Sequence, residues 1–174
     1  MRLIHYSDHY LTAVHSADPG PAPERIQRKP FGLWVSVEGE DDWPAWCRTE
    51  DFRLELLTHP TEVVLRPDAN ILCIGSAAEL RRFQSEYGED HRVLGGWIAR
   101  WDDVGAKHDG IIIAPYIWSM RLDHAVSWYY TWDCASGCIW NANAVAELRP
   151  LPIAHSTAAP PYPHPEQTAA SEQP

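Results

Sequence analysis

Trp128-Tyr129-Tyr130-Thr131-Trp132-Asp133-Cys134-Ala135-Ser136-Gly137-Cys138-Ile139-Trp140-Asn141 sets one acid and two thiols among Trp and Tyr side chains, around an Ala-Ser-Gly turn. A turn that only joins strands needs no such payload. Aromatic rings give large contact area at low entropic cost, and their N–H and O–H groups need partners. The stretch therefore reads either as the wall of a pocket for a flat ligand or as an unusually aromatic core. Working outward, Cys138–Asn141 and Ala144–Leu151 read as strand, turn and strand. Upstream, Asp109-Gly110-Ile111-Ile112-Ile113-Ala114 has the apolar run of a buried strand.

Further toward the N-terminus, Gly96–Lys107 reads as a helix carrying Trp97, Trp101 and Val104 on one face. Ser76 sits where an N-cap belongs, with Glu79 at capping-box spacing, so a helix is expected over Ala77–Tyr87, stopped by Gly88. Thr61–Arg66 and Asn70–Ile74 read as strands around Pro67-Asp68. Asp41-Asp42 precede Trp43 and Pro44, which suits a helix start, and the apolar period continues through Trp46, Cys47 and Phe52–Leu57. Phe31–Val37 is a β-type run and Arg2–Tyr6 a short first strand. Residues 16–30, Pro-rich, read as a loop. These elements predict an α+β fold: two small, mostly antiparallel sheets around a cleft, with two to three helices.

The bulk numbers bound the rest. The 174 residues suggest one domain over 1–153, because from 154 onward the Pro/Ala/Ser/Gln-rich composition cannot bury enough surface to offset ordering entropy. All nine Trp fall between residues 34 and 140. A net charge of −10 makes a nucleic-acid backbone an unlikely partner. No 18-residue apolar run exists to cross a membrane, and Met1–Tyr10 does not read as a secretory signal. Four Cys in that context point to reduced thiols and a cytoplasmic location in a bacterial host cell. Cys134 and Cys138, four apart, lack the paired knuckles of a structural zinc site, so no metal is expected.

Four pieces in order resemble the ADP-ribosyltransferase fold of the diphtheria-toxin and poly-ADP-ribose-polymerase type. They are Ile4-His5-Tyr6-Ser7, Phe31-Gly32-Leu33-Trp34-Val35-Ser36 with the helix after it, Asp109-Gly110-Ile111-Ile112, and the closing pair Cys138–Asn141 with Asn143, Val145 and Leu148–Leu151. The similarity spans roughly residues 3–152. The WDCASGCIW run is also similar to proteins of phages and bacteria. The resemblance implies that NAD is bound, His5 holding its ribose, the Gly32–Ser36 strand gripping the nicotinamide amide, and an aromatic of the next helix stacking on the ring. Two departures matter. The family's catalytic Glu falls at or near Cys138, leaving Asp133 as the nearest carboxylate. The stacking Tyr is replaced by Trp43 or Trp46.

The residues then have two readings each. Asp133, His5 and Cys138 are the candidate catalytic groups: Asp133 to stabilise an oxocarbenium-like transition state, or a turn aspartate bonding backbone amides; His5 a ribose contact, or a strand-end histidine; Cys138 a nucleophile, if a base stands near. The candidate NAD contacts are His5, Tyr6, Ser7, Gly32, Leu33, Trp34, Ser36, Trp43, Trp46, Tyr116, Arg121, Trp128, Tyr130, Trp132 and Ser136. Arg121 suits a phosphate, or an ion pair with Asp123 or Glu40. Glu147 reads as solvated. The expected function is ADP-ribosyl transfer from NAD to an acceptor that the sequence does not give, a protein or, in an NAD glycohydrolase, water. The alternative is an inactive chain that binds a nucleotide, or docks a host protein through the aromatic loop.

Overall fold

A computed structural model describes residues 1–20, 28–91 and 95–152. The expected tail over 154–174 and part of the 16–30 loop lie outside them. The strands are β1 (Leu3–His5), β2 (Leu33–Val37), β3 (Thr61–Leu65), β4 (Ile71–Ile74), β5 (Gly88–His91), β6 (Gly96–Ala99), β7 (Gly110–Ile113), β8 (Ser136–Ile139) and β9 (Val145–Pro150). The α-helices are α1 (Trp43–Glu50), α2 (Ala77–Tyr87) and α3 (Trp101–Gly105). The α+β class is as expected. The sheet division is not: one seven-stranded sheet runs β4-β7-β8-β2-β1-β3-β9, and β5-β6 form a separate ribbon. The β4–β7 pair is parallel and its neighbours are antiparallel. The joint between the expected halves is the β2–β8 pairing, Leu33↔Ile139 through Ser36↔Ser136. Contacts a hundred residues apart in the chain leave no local signal.

Two glycines make that joint possible. A Cβ on Gly137 would stand 2.6 Å from the Ile111 carbonyl oxygen. Gly32 has φ 150°, and its Cβ would meet the Ile139 carbonyl oxygen at 2.6 Å. Only a residue without Cβ serves at either place.

The helix signals hold where side chains cap them. Asp42 Oδ1 accepts from Ala45 N at 2.8 Å, with Pro44 in the first turn. Ser76 Oγ accepts from Glu79 N at 3.2 Å, and Gly88 terminates α2. Helix α2 buries Leu80, Phe83 and Tyr87, the i, i+3, i+7 stripe that makes it amphipathic. Two expectations are corrected. The apolar period through Phe52–Leu57 does not continue α1, because Asp51 (φ 50°) and Arg53 (φ 47°) turn left-handed and a 3-10 turn, Leu54–Leu57, follows. Gly96–Lys107 is not one helix: Gly96–Ala99 is a strand, and helix begins only at Trp101. Ser127 Oγ accepts from Trp97 N at 2.7 Å and so holds that strand's edge, a tertiary contact that overrides a short ambiguous apolar run.

The opening stretch splits between its two readings. Trp128, Tyr129 and Trp132 are fully buried, so this part is core. Trp128 meets Trp101 edge to face at 5.5 Å and Phe83 at 5.2 Å, and its Nε1 donates to Gln84 Oε1 at 2.8 Å. Asp109 clamps the sheet: its carboxylate accepts from Asn70 N at 2.8 Å and from Asn141 Nδ2 at 2.6 Å, and its carbonyl accepts from the Trp140 and Asn141 amides. The Asp-Gly pair is thus explained by scaffold alone.

Candidate functional site

A cleft of about 300 Å³ lies where β1, β2, α1 and the segment before β8 converge. Its wall includes His5 and Tyr6 from the end of β1, Trp34 and Ser36 from β2, Trp43 from α1, and Asp133, Cys134 and Ser136 from the far side of the joint. The geometry follows from the pairing. Residues directly opposite in an antiparallel ladder share a face, so Ser36↔Ser136 and Trp34↔Cys138 bring the two distant segments to one surface. Backbone bonds fix the approach: Ala135 N donates to Asp41 O at 2.8 Å and Val37 N to Ala135 O at 2.9 Å.

Individual side chains are held as follows. His5 Nδ1 donates to the Trp34 carbonyl at 2.9 Å, since a carbonyl only accepts, and this leaves Nε2 as the second ring nitrogen. Ser36 Oγ accepts from Trp43 N at 2.9 Å, which ties the first turn of α1 to β2 and sets Trp43 in the wall. Ser136 Oγ donates to the Cys134 carbonyl at 3.0 Å. Burial, with a smaller push from the Asp42 charge, raises the Tyr6 hydroxyl to about 12, so it remains a protonated donor at neutral pH. Asp133 is half-buried and faces Lys29, whose Nζ lies 3.7 Å from Asp133 Oδ2 and 5.1 Å from the Trp34 ring centroid.

Lys29, Phe52, Arg53 and Leu56 also line the cleft and were not anticipated from sequence. Arg53 lies over the Phe52 ring at 5.5 Å, and Phe52 stands edge-on to both Trp43 (6.0 Å) and Trp46 (5.4 Å), which stack on each other at 5.0 Å. The available signal was charge: cations are scarce in this acidic chain, yet Lys29 and Arg53 flank its Trp-rich segment. Arg53, left-handed at φ 47°, places in the cleft wall a backbone conformation that bulky residues rarely adopt, a feature that clusters at ligand sites.

Other expected contacts fall elsewhere. Cys138 is fully buried, its thiol directed at the Pro30 carbonyl at 3.8 Å and pushed strongly up in pKa by burial. It offers neither the exposure nor the thiolate that a nucleophile needs. Trp128 and Trp132 belong to the core, although Trp132 backs the cleft through an edge contact to Trp34 at 4.9 Å. Being buried, they offer no docking surface. Ser7 Oγ donates to the His9 carbonyl in a local turn. Gly32 and Leu33 serve the β2–β8 joint, and Trp46 supports Trp43 and Phe52 from outside the cleft wall. Tyr116 is buried, donating to Trp132 O at 2.6 Å. Arg121 stacks over Trp118 (5.8 Å) and the exposed Tyr130 (5.7 Å) rather than joining the cleft. Glu147 is exposed, as read from sequence, and the structure pairs it with Arg149. Among the described residues no group of three His, Cys, Asp or Glu is placed to hold a metal, and no helix is long and apolar enough to cross a membrane. In comparisons with protein families, curated proteins and solved structures, nothing matches this chain.

Proposed function

We propose that this chain binds NAD in the cleft and transfers ADP-ribose to an acceptor. The observation that carries the reading is the convergence of His5, Tyr6, Trp34, Ser36, Trp43 and Asp133, from separate segments, on one cavity. Its chemistry suits a dinucleotide: aromatic faces for flat rings, Lys29 and Arg53 for phosphates, and hydroxyl and imidazole groups for ribose. His5, oriented through Nδ1, presents Nε2 to a ribose hydroxyl. The Ser36 hydroxyl, as the acceptor for Trp43 N, acts indirectly by holding Trp43 in the wall against a flat ring. In the reaction the bond from ribose C1 to the ring nitrogen breaks and its electron pair leaves with neutral nicotinamide. The acceptor's lone pair then bonds C1, and its proton passes to solvent. Asp133 supplies the negative charge that a cationic C1 demands. A protein or water would serve as acceptor.

One observation favours a second reading, nucleotide binding without turnover. Lys29 pairs with Asp133, the only carboxylate among the described residues that line the cleft. Nicotinamide release from NAD decides between the two. Release by wild type that Asp133→Asn and His5→Ala both lose supports transfer or hydrolysis. NAD binding with no release supports the second reading, and absence of both removes the nucleotide from consideration.

A further inference from the structure

We infer that the Trp34–Asp133 corner of the cleft is a subsite for an organic cation, and that Lys29 is its tethered occupant. Three side chains carry this. The Lys29 ammonium lies 5.1 Å from the Trp34 ring centroid and 3.7 Å from Asp133 Oδ2. An aromatic face opposed to a carboxylate is the arrangement that recognises ammonium and pyridinium groups, because the ring quadrupole and the acid attract the same charge. Trp132 presses edge-on against Trp34 at 4.9 Å and fixes the ring that receives the cation. Tyr6 and Trp43 add further aromatic wall.

Lys29 is suited to leave. Its side chain is 39% exposed while that of Asp133 is 25% exposed, so the ammonium can swing into water while the acid stays against the ring. A solvent-exposed lysine pair of this kind is weakly held. A ligand cation entering the corner replaces one charge with another, whereas a neutral ring must displace Lys29 and strand Asp133. Lys29 therefore acts as a built-in competitor for the corner, and Asp133 gives the corner its preference for a cation. The inference deepens the NAD reading, whose oxidised nicotinamide ring is such a cation, but it stands on these three side chains alone.

The test uses the full chain with Lys29→Met, Lys29→Arg and Lys29→Met/Asp133→Asn. The probes are 1-methylnicotinamide, which is a cation, and neutral nicotinamide, followed through the Trp34 indole resonance assigned with Trp34→Phe. Removing the tethered competitor should tighten 1-methylnicotinamide binding about tenfold. Nicotinamide, which must also displace Lys29, should gain by a similar factor yet remain the weaker ligand while Asp133 is present, Lys29→Arg should resemble wild type, and adding Asp133→Asn should abolish the preference for the cation. Unchanged or weaker binding of the cation by Lys29→Met, with the melting temperature retained, would overturn the inference. ADP-ribose has no cationic ring, so its binding reports the NAD reading separately. Failure of ADP-ribose to bind would sink that reading while leaving the cation result to decide this one.

Discussion

Ser36→Ala separates a ligand contact from a scaffold contact within the cleft. Ser36 is 5% exposed, and its Oγ accepts from the first-turn amide of Trp43 at 2.9 Å. Alanine removes the acceptor and leaves that N–H, one of the helix's orphan donors, to find water at a crowded junction. The net loss of such a bond is about 1 kcal/mol, rising to about 3 kcal/mol if the amide stays dry. For a domain of this size each kcal/mol lowers the melting temperature by about 2–4 °C. Asp42 holds the same turn through Ala45 N at 2.8 Å, so Asp42→Ala should cost about 1 kcal/mol as a lost N-cap. Two caps on one turn should couple, so the double variant should lose less than the sum of the singles. Urea unfolding of all four proteins, read by far-UV circular dichroism, measures the cycle. NAD titration should show only modest weakening in Ser36→Ala, through displacement of Trp43. An unchanged unfolding midpoint together with abolished NAD binding would refute this reasoning and make Ser36 a direct ligand contact.

Other expectations follow from the same contacts. Burial raises the Asp42 carboxyl above its ordinary value of 3.8, so its contribution to stability is present at low pH and lost as pH rises through the folded value. Asp42→Asn keeps an acceptor without the charge, so it should gain on wild type between pH 3 and pH 7 in parallel melts; a constant difference would contradict this. Native iodoacetamide labelling followed by mass spectrometry should modify Cys73 first, since Cys47, Cys134 and Cys138 are buried and burial lifts the Cys134 thiol to about 12 and the Cys47 thiol to about 11. Rapid native labelling of Cys138 would revive it as a nucleophile. Trp132→Ala should destabilise by about 3–5 kcal/mol, as for other large core residues. Trp132→Phe should cost far less, because the buried Trp132 Nε1 has no hydrogen-bond partner among the described residues to lose. A Trp132→Phe midpoint nearly as low as that of Trp132→Ala would show that the indole is held by a partner.

Sequence by itself determined what is local in this protein. The Ser76–Glu79 cap, the Asp42-Trp43-Pro44 start and the Gly88 stop act within four residues, so the helix ends were legible before any tertiary contact. The strand runs of the large sheet were legible too, but β5 and β6 were not, and His5, Trp34, Ser36 and Asp133 stood out as candidates without any sign that they share a cleft. Only the tertiary structure decided how these pieces combine. Whether the 128–141 aromatics form core or pocket depends on which rings the packing against α2 and α3 buries, and no period in the stretch reveals that Trp132 goes inside while Asp133 turns to the cleft. The helical pattern at Gly96–Lys107 failed because Gly96–Ala99 pairs with Gly88–His91, and the Ser127 hydroxyl, thirty residues away, accepts from Trp97 N. Lys29 and Arg53 were missed because their neighbours in space, Asp133, Trp34 and Phe52, gather them only once β2 pairs with β8 and two left-handed residues end α1. Capping and turn chemistry act over a few bonds and are written in adjacent residues. Sheet order and cleft charge arise from contacts whose partners a linear reading has no means to match.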